Sequence, residues 1–284
     1  MQTTTDNSNL PDLSSDYDVP ADKLAYMKAN GHVTLRDICS ADEVEPYRAL
    51  VAEDVAARKD TARSGAYAKD LKDRDTRTKA FLQMTNVWQD DERIARFTLA
   101  RRFGHIAAQL LGVDAVRLYH DQALFKEPGG GHTPWHQDQF YWPLPDDRTV
   151  TMWMPMVDSG GEMGTLMFAS GTHTLGPLAD IAISDHSESF FNNLCKDKDW
   201  PVAISELNAG DATWHYGWTL HKSPGNVTDK MRQVMTVIFV ADGTPILEPT
   251  NEKQPKEITA WMPGQKPGDL VGSPLNPIVY SRQT

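Results

Sequence analysis

The feature that most constrains this chain is a change of texture at Val113. Beyond it, short runs rich in Val, Thr, Met and aromatic residues alternate with Gly, Pro and Asp clusters, over 115–126, 134–141, 149–157, 164–169, 202–207, 211–216 and 231–241. Many short strands punctuated by turn residues predict an all-β sandwich or barrel. Ahead of Val113 the pattern is helical. Ala21 to Asn30 follows Pro20 and precedes Gly31, a pairing that opens and closes a helix. His32–Leu35 reads as a short strand, and Ser40 and Glu43 stand at capping-box spacing before a helical Val44–Arg58. Ile94, Phe97, Phe103, Ile106, Leu110 and Leu111 recur at helical spacing until Gly112 ends the run. Polar residues 1–18 are expected to fray, and 60–76 to form an exposed loop or lid. The insertion 180–200 is expected to be a helix or covering loop, and the proline-rich tail from 244 to wrap the surface. Nothing divides the chain, so the expectation is one domain: helical support over 19–112, a β core over 113–242 and an extension over 243–284.

Charge removes several classes of partner. The 284 residues carry 28 Lys+Arg against 39 Asp+Glu, a net charge of −11. That balance argues against nucleic acid, which demands a basic footprint, and against an anionic membrane surface. No stretch approaches the apolar length needed to span a bilayer, and the first residues lack the basic and apolar regions of a signal peptide. Cys39 and Cys195 are too few for a disulfide scaffold and too isolated for a thiolate metal site, so a reducing cytoplasm is the expected compartment. A small molecule is the expected partner, and oligomeric state is not readable.

The chemistry sits in three separated stretches. Trp135-His136-Gln137-Asp138 sets an imidazole and a carboxylate at i and i+2, which an extended strand points to one side. Far downstream come Thr219-Leu220-His221-Lys222-Ser223 and, eleven residues after that His, Arg232. Two imidazoles and one carboxylate on one face of a metal are the ligand set of non-haem Fe(II), with positions left open for a bidentate cosubstrate and then dioxygen. An Arg at the later offset suits the far carboxylate of a keto-diacid, gripped bidentately as a Lys cannot. His-x-Asp alone recurs by chance, and it is the downstream group that gives the pattern weight. His32, His105 and His186 read as packed or solvated, and His132 and His173 as loop residues. Gly129-Gly130-Gly131 is not a phosphate loop, since no Lys-Ser/Thr and no helix follow it. No nucleophile elbow is present.

The stretch from His136 to Pro143, Thr149 to Trp153, Gly164 to His173, and His221 to Asn226 with Arg232 resembles the phytanoyl-CoA dioxygenase family of Fe(II)- and 2-oxoglutarate-dependent oxygenases. The resemblance covers about residues 20–242. It implies a mainly β fold with flanking helices, a double-stranded β-helix or cupin-like jelly roll, and the cosubstrates 2-oxoglutarate and O2. By the same likeness His136, Asp138 and His221 match the iron ligands, Arg232 and Ser223 the pair around the distal carboxylate of 2-oxoglutarate, and Trp153 an aromatic wall. On the strand 118–126, alternation puts His120, Gln122 and Leu124 on one face, and relatives make His120 and Gln122 candidates around the cosubstrate. Gln83, Asn86, Phe140, Trp142 and His215 are candidate substrate residues. Asp138 disfavours halogenation, for which relatives lack the metal carboxylate. No basic patch for a coenzyme A phosphate is evident, so an acyl-CoA substrate is not carried over.

The expected activity is hydroxylation, or another oxidation, of a C–H bond in a small organic molecule of secondary metabolism. Desaturation, epoxidation and ring formation remain open at this level. A metal-cupin isomerase or lyase without 2-oxoglutarate is the alternative, and a binding module with a structural metal is the third reading. Residues 60–80 and 180–200 are the expected lid and specificity elements.

Overall fold

The computed structural model describes residues 10–58 and 81–283. Eleven strands form two facing sheets, with helices on the outside of the larger one. The N-terminal support consists of α1 (Ala21–Asn30), β1 (His32–Leu35), α2 (Ala41–Arg58), β2 (Phe81–Thr85), α3 (Glu92–Thr98) and α4 (Arg101–Leu111). The core follows as β3 (Ala115–Lys126), β4 (Thr133–His136), β5 (Thr149–Pro155), β6 (Met167–Ala169), α5 (Asp185–Lys198), β7 (Val202–Ile204), β8 (Ala212–Tyr216), β9 (His221–Ser223) and β10 (Arg232–Ala241). The extension adds α6 (Gln254–Trp261) and β11 (Ile278–Ser281).

The major sheet runs β1-β8-β5-β10-β3-β11, with β2 also on β3, and the minor sheet runs β4-β9-β6-β7. This is the jelly roll that the strand pattern and the family resemblance predict. Period-two alternation sorts the major sheet into two faces. Leu118, Ala123, Phe125, Met152, Met154, Trp214, Met235, Val237 and Phe239 pack outward with Phe97, Phe103, Ile106 and Val51 of the helices in one apolar cluster. Each such large side chain, fully buried, contributes about 1.5–3 kcal/mol. The inner face carries Gln122, Leu124, Lys126, Thr151, Trp153, Thr213, His215, Arg232 and Thr236, and there the polar residues gather.

Several local expectations match in detail. Gly31 closes α1 in the left-handed region, its N–H donating to the Met27 carbonyl. Ser40 and Glu43 form the reciprocal capping pair, with Ser40 N–H on Glu43 Oε2 at 2.8 Å and Glu43 N–H on Ser40 Oγ at 3.2 Å. Others are corrected by distant contacts. The helix expected through Leu111 is broken at Leu99–Ala100. There the Thr98 hydroxyl donates to buried Asp121 and the Arg102 N–H donates to the Leu13 carbonyl. Residues 10–18 do not fray: Tyr47 Oη donates to the Pro11 carbonyl, and Leu13 lies in the helix-side cluster. The tail does not merely wrap the surface. β11 joins β3, and Ile258, Trp261 and Met262 enclose a second core with Tyr119, Trp142 and Ile238. The lid expected over 60–76 lies outside the described residues. The insertion 180–200 is helical, but α5 packs behind β4 rather than over an opening.

Candidate active site

The metal-ligand types converge on the minor sheet. His136 ends β4 opposite His221, which begins β9. Asp138 does not share that strand, as the i, i+2 reading supposed: Gln137 is still extended, and Asp138 opens a 3-10 turn. Its side chain nonetheless faces the two histidines. The turn is held by Gln137, whose Nε2 donates to the carbonyls of Trp218 (2.7 Å) and Gly176 (3.0 Å) while its Oε1 accepts from Leu178 N–H. Gln139 closes against Gly217, its N–H donating to the Gly217 carbonyl, and a Cβ on Gly217 would stand 2.3 Å from Gln139 Oε1 and push it off Thr149 Oγ1.

One ligand atom from each of His136, Asp138 and His221 lies within 4.8 Å of the others, the one such grouping among the described residues. His136 Nε2 is 3.4 Å, and His221 Nε2 3.9 Å, from Asp138 Oδ1. Both imidazoles donate their Nδ1–H to the carbonyl two residues back, Pro134 at 2.7 Å and Thr219 at 2.9 Å. That fixes the tautomer with a bare Nε2, the form a metal needs. Burial raises the Asp138 carboxyl, but the three imidazoles gathered round it, His221, His136 and His215, outweigh burial and hold it well below the usual carboxylate range. Burial and the neighbouring imidazoles of His136 and His215 keep His221 neutral. Asp138 is therefore held ionised and His221 neutral, as ligation requires, and two imidazoles with one carboxylate fit iron(II) with open positions.

His215, a substrate candidate by sequence, is placed elsewhere. It is 1% exposed, its Nε2 lies 3.3 Å from Asp138 Oδ2, and its ring centroid is 4.4 Å from that of His221. Donating there, it occupies Oδ2 and leaves Oδ1 facing the two histidines.

A buried cationic pair stands at the other end of the inner face. Arg232 Nη1 donates to Ser223 Oγ (2.8 Å) and to the Gly164 carbonyl (2.5 Å), with its guanidinium 5.4 Å from the Trp153 ring centroid. Gly164 has φ +87°, and a Cβ there would sit 2.5 Å from the Pro224 carbonyl oxygen. Sequence reasoning missed the second cation, Lys126, which donates from Nζ to Ser223 Oγ (2.9 Å) and the Pro224 carbonyl (2.7 Å). The alternation that selected His120, Gln122 and Leu124 continues to Lys126, so the signal was present. Burial pushes Lys126 down to about 6, with Arg232 adding repulsion, and pushes Arg232 down to about 9. Nearby inner-face atoms Trp153 Nε1, Thr151 Oγ1, Thr213 Oγ1 and Thr236 Oγ1 are buried with no hydrogen-bond partner among the described residues. A buried guanidinium and a buried amine beside orphaned polar atoms fit a polar, anionic ligand such as a dicarboxylate, which would favour the charged amine.

The remaining sequence candidates divide. Gln83 and Gln122 are joined, Nε2 to Oε1 at 2.9 Å, across the β2–β3 ladder. His120 stands far along the strand from the Arg232 end. It pairs with Ile238 whereas Lys126 pairs with Arg232, a separation of about 20 Å at strand rise. It stacks instead on Trp261, centroids 4.4 Å apart. Trp142 is buried in that same second core rather than lining a cavity. Phe140 is partly buried against Tyr141, and its carbonyl accepts from Asn251 and Gln254 of the extension. Asn86 adopts φ 50° at the head of a 3-10 turn, with no bond to the metal ligands.

A jelly roll whose interior sets two imidazoles and a carboxylate together with a buried guanidinium defines a non-haem iron, 2-oxoglutarate-dependent dioxygenase. The chain belongs to the phytanoyl-CoA dioxygenase family, whose model matches residues 27–234. Among curated proteins it is similar to the "probable alpha-ketoglutarate-dependent hypophosphite dioxygenase" of Stutzerimonas stutzeri, 24% identical over 76% of this chain and 77% of that protein. It also resembles phytanoyl-CoA dioxygenase domain-containing protein 1 of Bos taurus, 30% identical over 52% of this chain, and spans about half the length of that relative. Among solved structures, the carbocyclase SnoK of nogalamycin biosynthesis has a TM-score of 0.73 at 20% identity, covering 92% of this chain and 96% of that one. EctD from S. alaskensis, solved with 2-oxoglutarate and 5-hydroxyectoine, gives 0.67 at 18% identity, covering 92% and 91%. No helix among the described residues is long and apolar enough to cross a membrane.

Proposed function

We propose that this dioxygenase hydroxylates, or otherwise oxidises, an unactivated C–H bond of a small organic molecule in secondary metabolism. The observation that carries the reading is the convergence, inside one barrel, of the His136–Asp138–His221 set with the Arg232–Ser223–Lys126 anchor. In this reading His136 and His221 hold iron(II) through Nε2 and Asp138 holds it through Oδ1. Iron(II) with 2-oxoglutarate and dioxygen supplies the oxidising equivalents, and succinate and CO2 leave as co-products. Arg232 and Ser223 grip the distal carboxylate, Lys126 adds a second positive charge, and the Trp153 ring walls the guanidinium from water. Held so, the keto acid is oriented before any chemistry begins, which converts positioning into rate. Gln83 and Gln122 border the same interior and are the proposed polar contacts for substrate.

The named relatives support a small substrate. SnoK belongs to nogalamycin biosynthesis and EctD was solved with 5-hydroxyectoine, while the Stutzerimonas relative puts hypophosphite into any screen. The test is anaerobic titration with iron(II) and then 2-oxoglutarate, followed by the weak visible charge-transfer absorption of the chelate. The band is expected in the wild type and weakened in Arg232→Ala. If iron binds and no band forms, the cosubstrate assignment fails and a 2-oxoglutarate-independent isomerase or lyase replaces it. With the band in hand, succinate release over a substrate panel identifies the second reactant.

A further inference from the structure

We propose that Glu188 and Asn192 of α5 are positioning residues for the metal centre, setting the spacing of His136 and His221 from the back of the minor sheet. The inference rests on reading those two histidines as metal ligands. It concerns a helix outside the barrel that touches neither of them.

The backbone alone specifies that spacing weakly. β4 and β9 share only two register positions, Thr133 with Ser223 and His136 with His221, and an irregularity lies between them. What joins the strands firmly is on their outer face. Trp135 precedes His136 and Lys222 follows His221, so alternation sends both outward while the histidines point inward. The two outward residues meet one acid. Glu188 Oε2 accepts the Trp135 backbone N–H at 2.9 Å, and Oε1 accepts Lys222 Nζ at 2.9 Å.

Asn192, one helical turn on, completes the clamp. Its Nδ2 donates to Glu188 Oε1 at 2.8 Å, and its Oδ1 accepts from Trp135 Nε1 at 2.8 Å and Lys222 Nζ at 3.3 Å. Lys222 also lies 4.9 Å over the Trp135 ring. The helix that carries the clamp is itself fixed. Ser184 and Ser187 cap its first turn reciprocally, and Phe191 and Cys195 pack with Trp135, Ala169 and Leu220. Each clamp point is one residue from a ligand, so a shift of Glu188 is transmitted to the imidazole through a single peptide unit. The Glu188–Lys222 pair is mostly buried, with side-chain exposures of 19% and 18%, so solvent screens it less than a surface pair.

The test is Co(II) titration of the full chain, read by d–d absorption, with melting temperature measured alongside. Wild type is expected to bind, and His136→Ala to lose the spectrum; if the wild type gives no spectrum that His136→Ala removes, it is the metal assignment that fails. Given binding, Glu188→Ala is expected to weaken Co(II) affinity by about 10- to 100-fold, the range for outer-shell partners, and to change the d–d envelope. Lys222→Met should cost less, and the double variant no more than Glu188→Ala, because both act on one unit. Unchanged affinity and spectrum in Glu188→Ala, with only a lower melting temperature, would overturn the proposal. If Glu188→Ala does not fold, Glu188→Gln decides on the same criterion, since it keeps one acceptor for Trp135 N–H but replaces the oxygen that accepts from Lys222 and Asn192 with a donor.

Discussion

The two sheets of the barrel are held in different ways. β3 and β10 pair at ten register positions and are flanked by further strands on both sides, with a cluster of helices packed against their outer face. β4 and β9 pair at two, and β6 adds two more to β9. The long ladder supplies a wall that carries Lys126 and Arg232 at defined heights, with Trp153 on the adjoining β5. The short one supplies the proposed metal ligands, and there side-chain hydrogen bonds take over what a backbone ladder does elsewhere. Gln137 pins the 3-10 turn, and the Pro134 and Thr219 carbonyls orient the histidines. Stability is thus concentrated in one sheet and geometry of the reactive groups in the other.

That contrast can be broken from either side. The largest effect is expected at the metal: His136→Ala or Asp138→Ala should abolish iron-dependent turnover while the melting temperature of the metal-free chain stays close to wild type. Turnover retained in either variant would remove it from the ligand set. Next, Phe239→Ala in the major sheet should cost about 3–5 kcal/mol of unfolding free energy, because Phe239 is fully buried and stacked with Trp214. Metal affinity of the folded fraction should not change, and a parallel loss of both would show that the sheets are not separable.

A smaller effect is expected from Arg232→Ala, which removes charged hydrogen bonds of about 1.5–3 kcal/mol and should weaken 2-oxoglutarate by roughly 10- to 150-fold, measured by calorimetry under anaerobic iron. Lys126 sharpens the same site through pH. Its folded value of about 6 leaves it largely neutral at pH 7.5 in the ligand-free chain, and a dicarboxylate beside it favours the charged form. Binding should therefore take up a proton, and affinity should fall as pH rises above 7. Lys126→Met should flatten that slope, and an unchanged slope would remove Lys126 from the site. The sign on stability is also set: between about pH 6 and the ordinary lysine range the unfolded chain binds the extra proton, so this group makes the ligand-free fold more stable as pH rises. The smallest change is Ser184→Ala at the α5 cap, about 1 kcal/mol by thermal melting.

Much of this was legible locally. The N-terminal helix with its Gly31 stop, the Ser40–Glu43 cap and the 115–126 strand follow from spacing, because the forces that set them act within a few residues. His221 and Arg232 were legible by motif, since their offsets match a known pattern. What failed to appear has one physical cause. The break at Leu99–Ala100, the burial of Leu13, the move of His120 to Trp261 and the role of His215 each depend on a partner at least 70 residues away or in another layer of the barrel.

Lys126 is the sharpest case. In sequence it is a basic residue at the end of a strand, where a solvated side chain is the ordinary outcome. The barrel closes over it and turns it into a buried amine sharing Ser223 with Arg232. Glu188 and Lys222, 34 residues apart in sequence, likewise meet only because α5 packs against β4. The sequence by itself determined the kinds of groups available, the period of each element and the class of chemistry. Only the tertiary structure decided which of those groups meet, because period and composition act along the chain, whereas burial and pairing act across it.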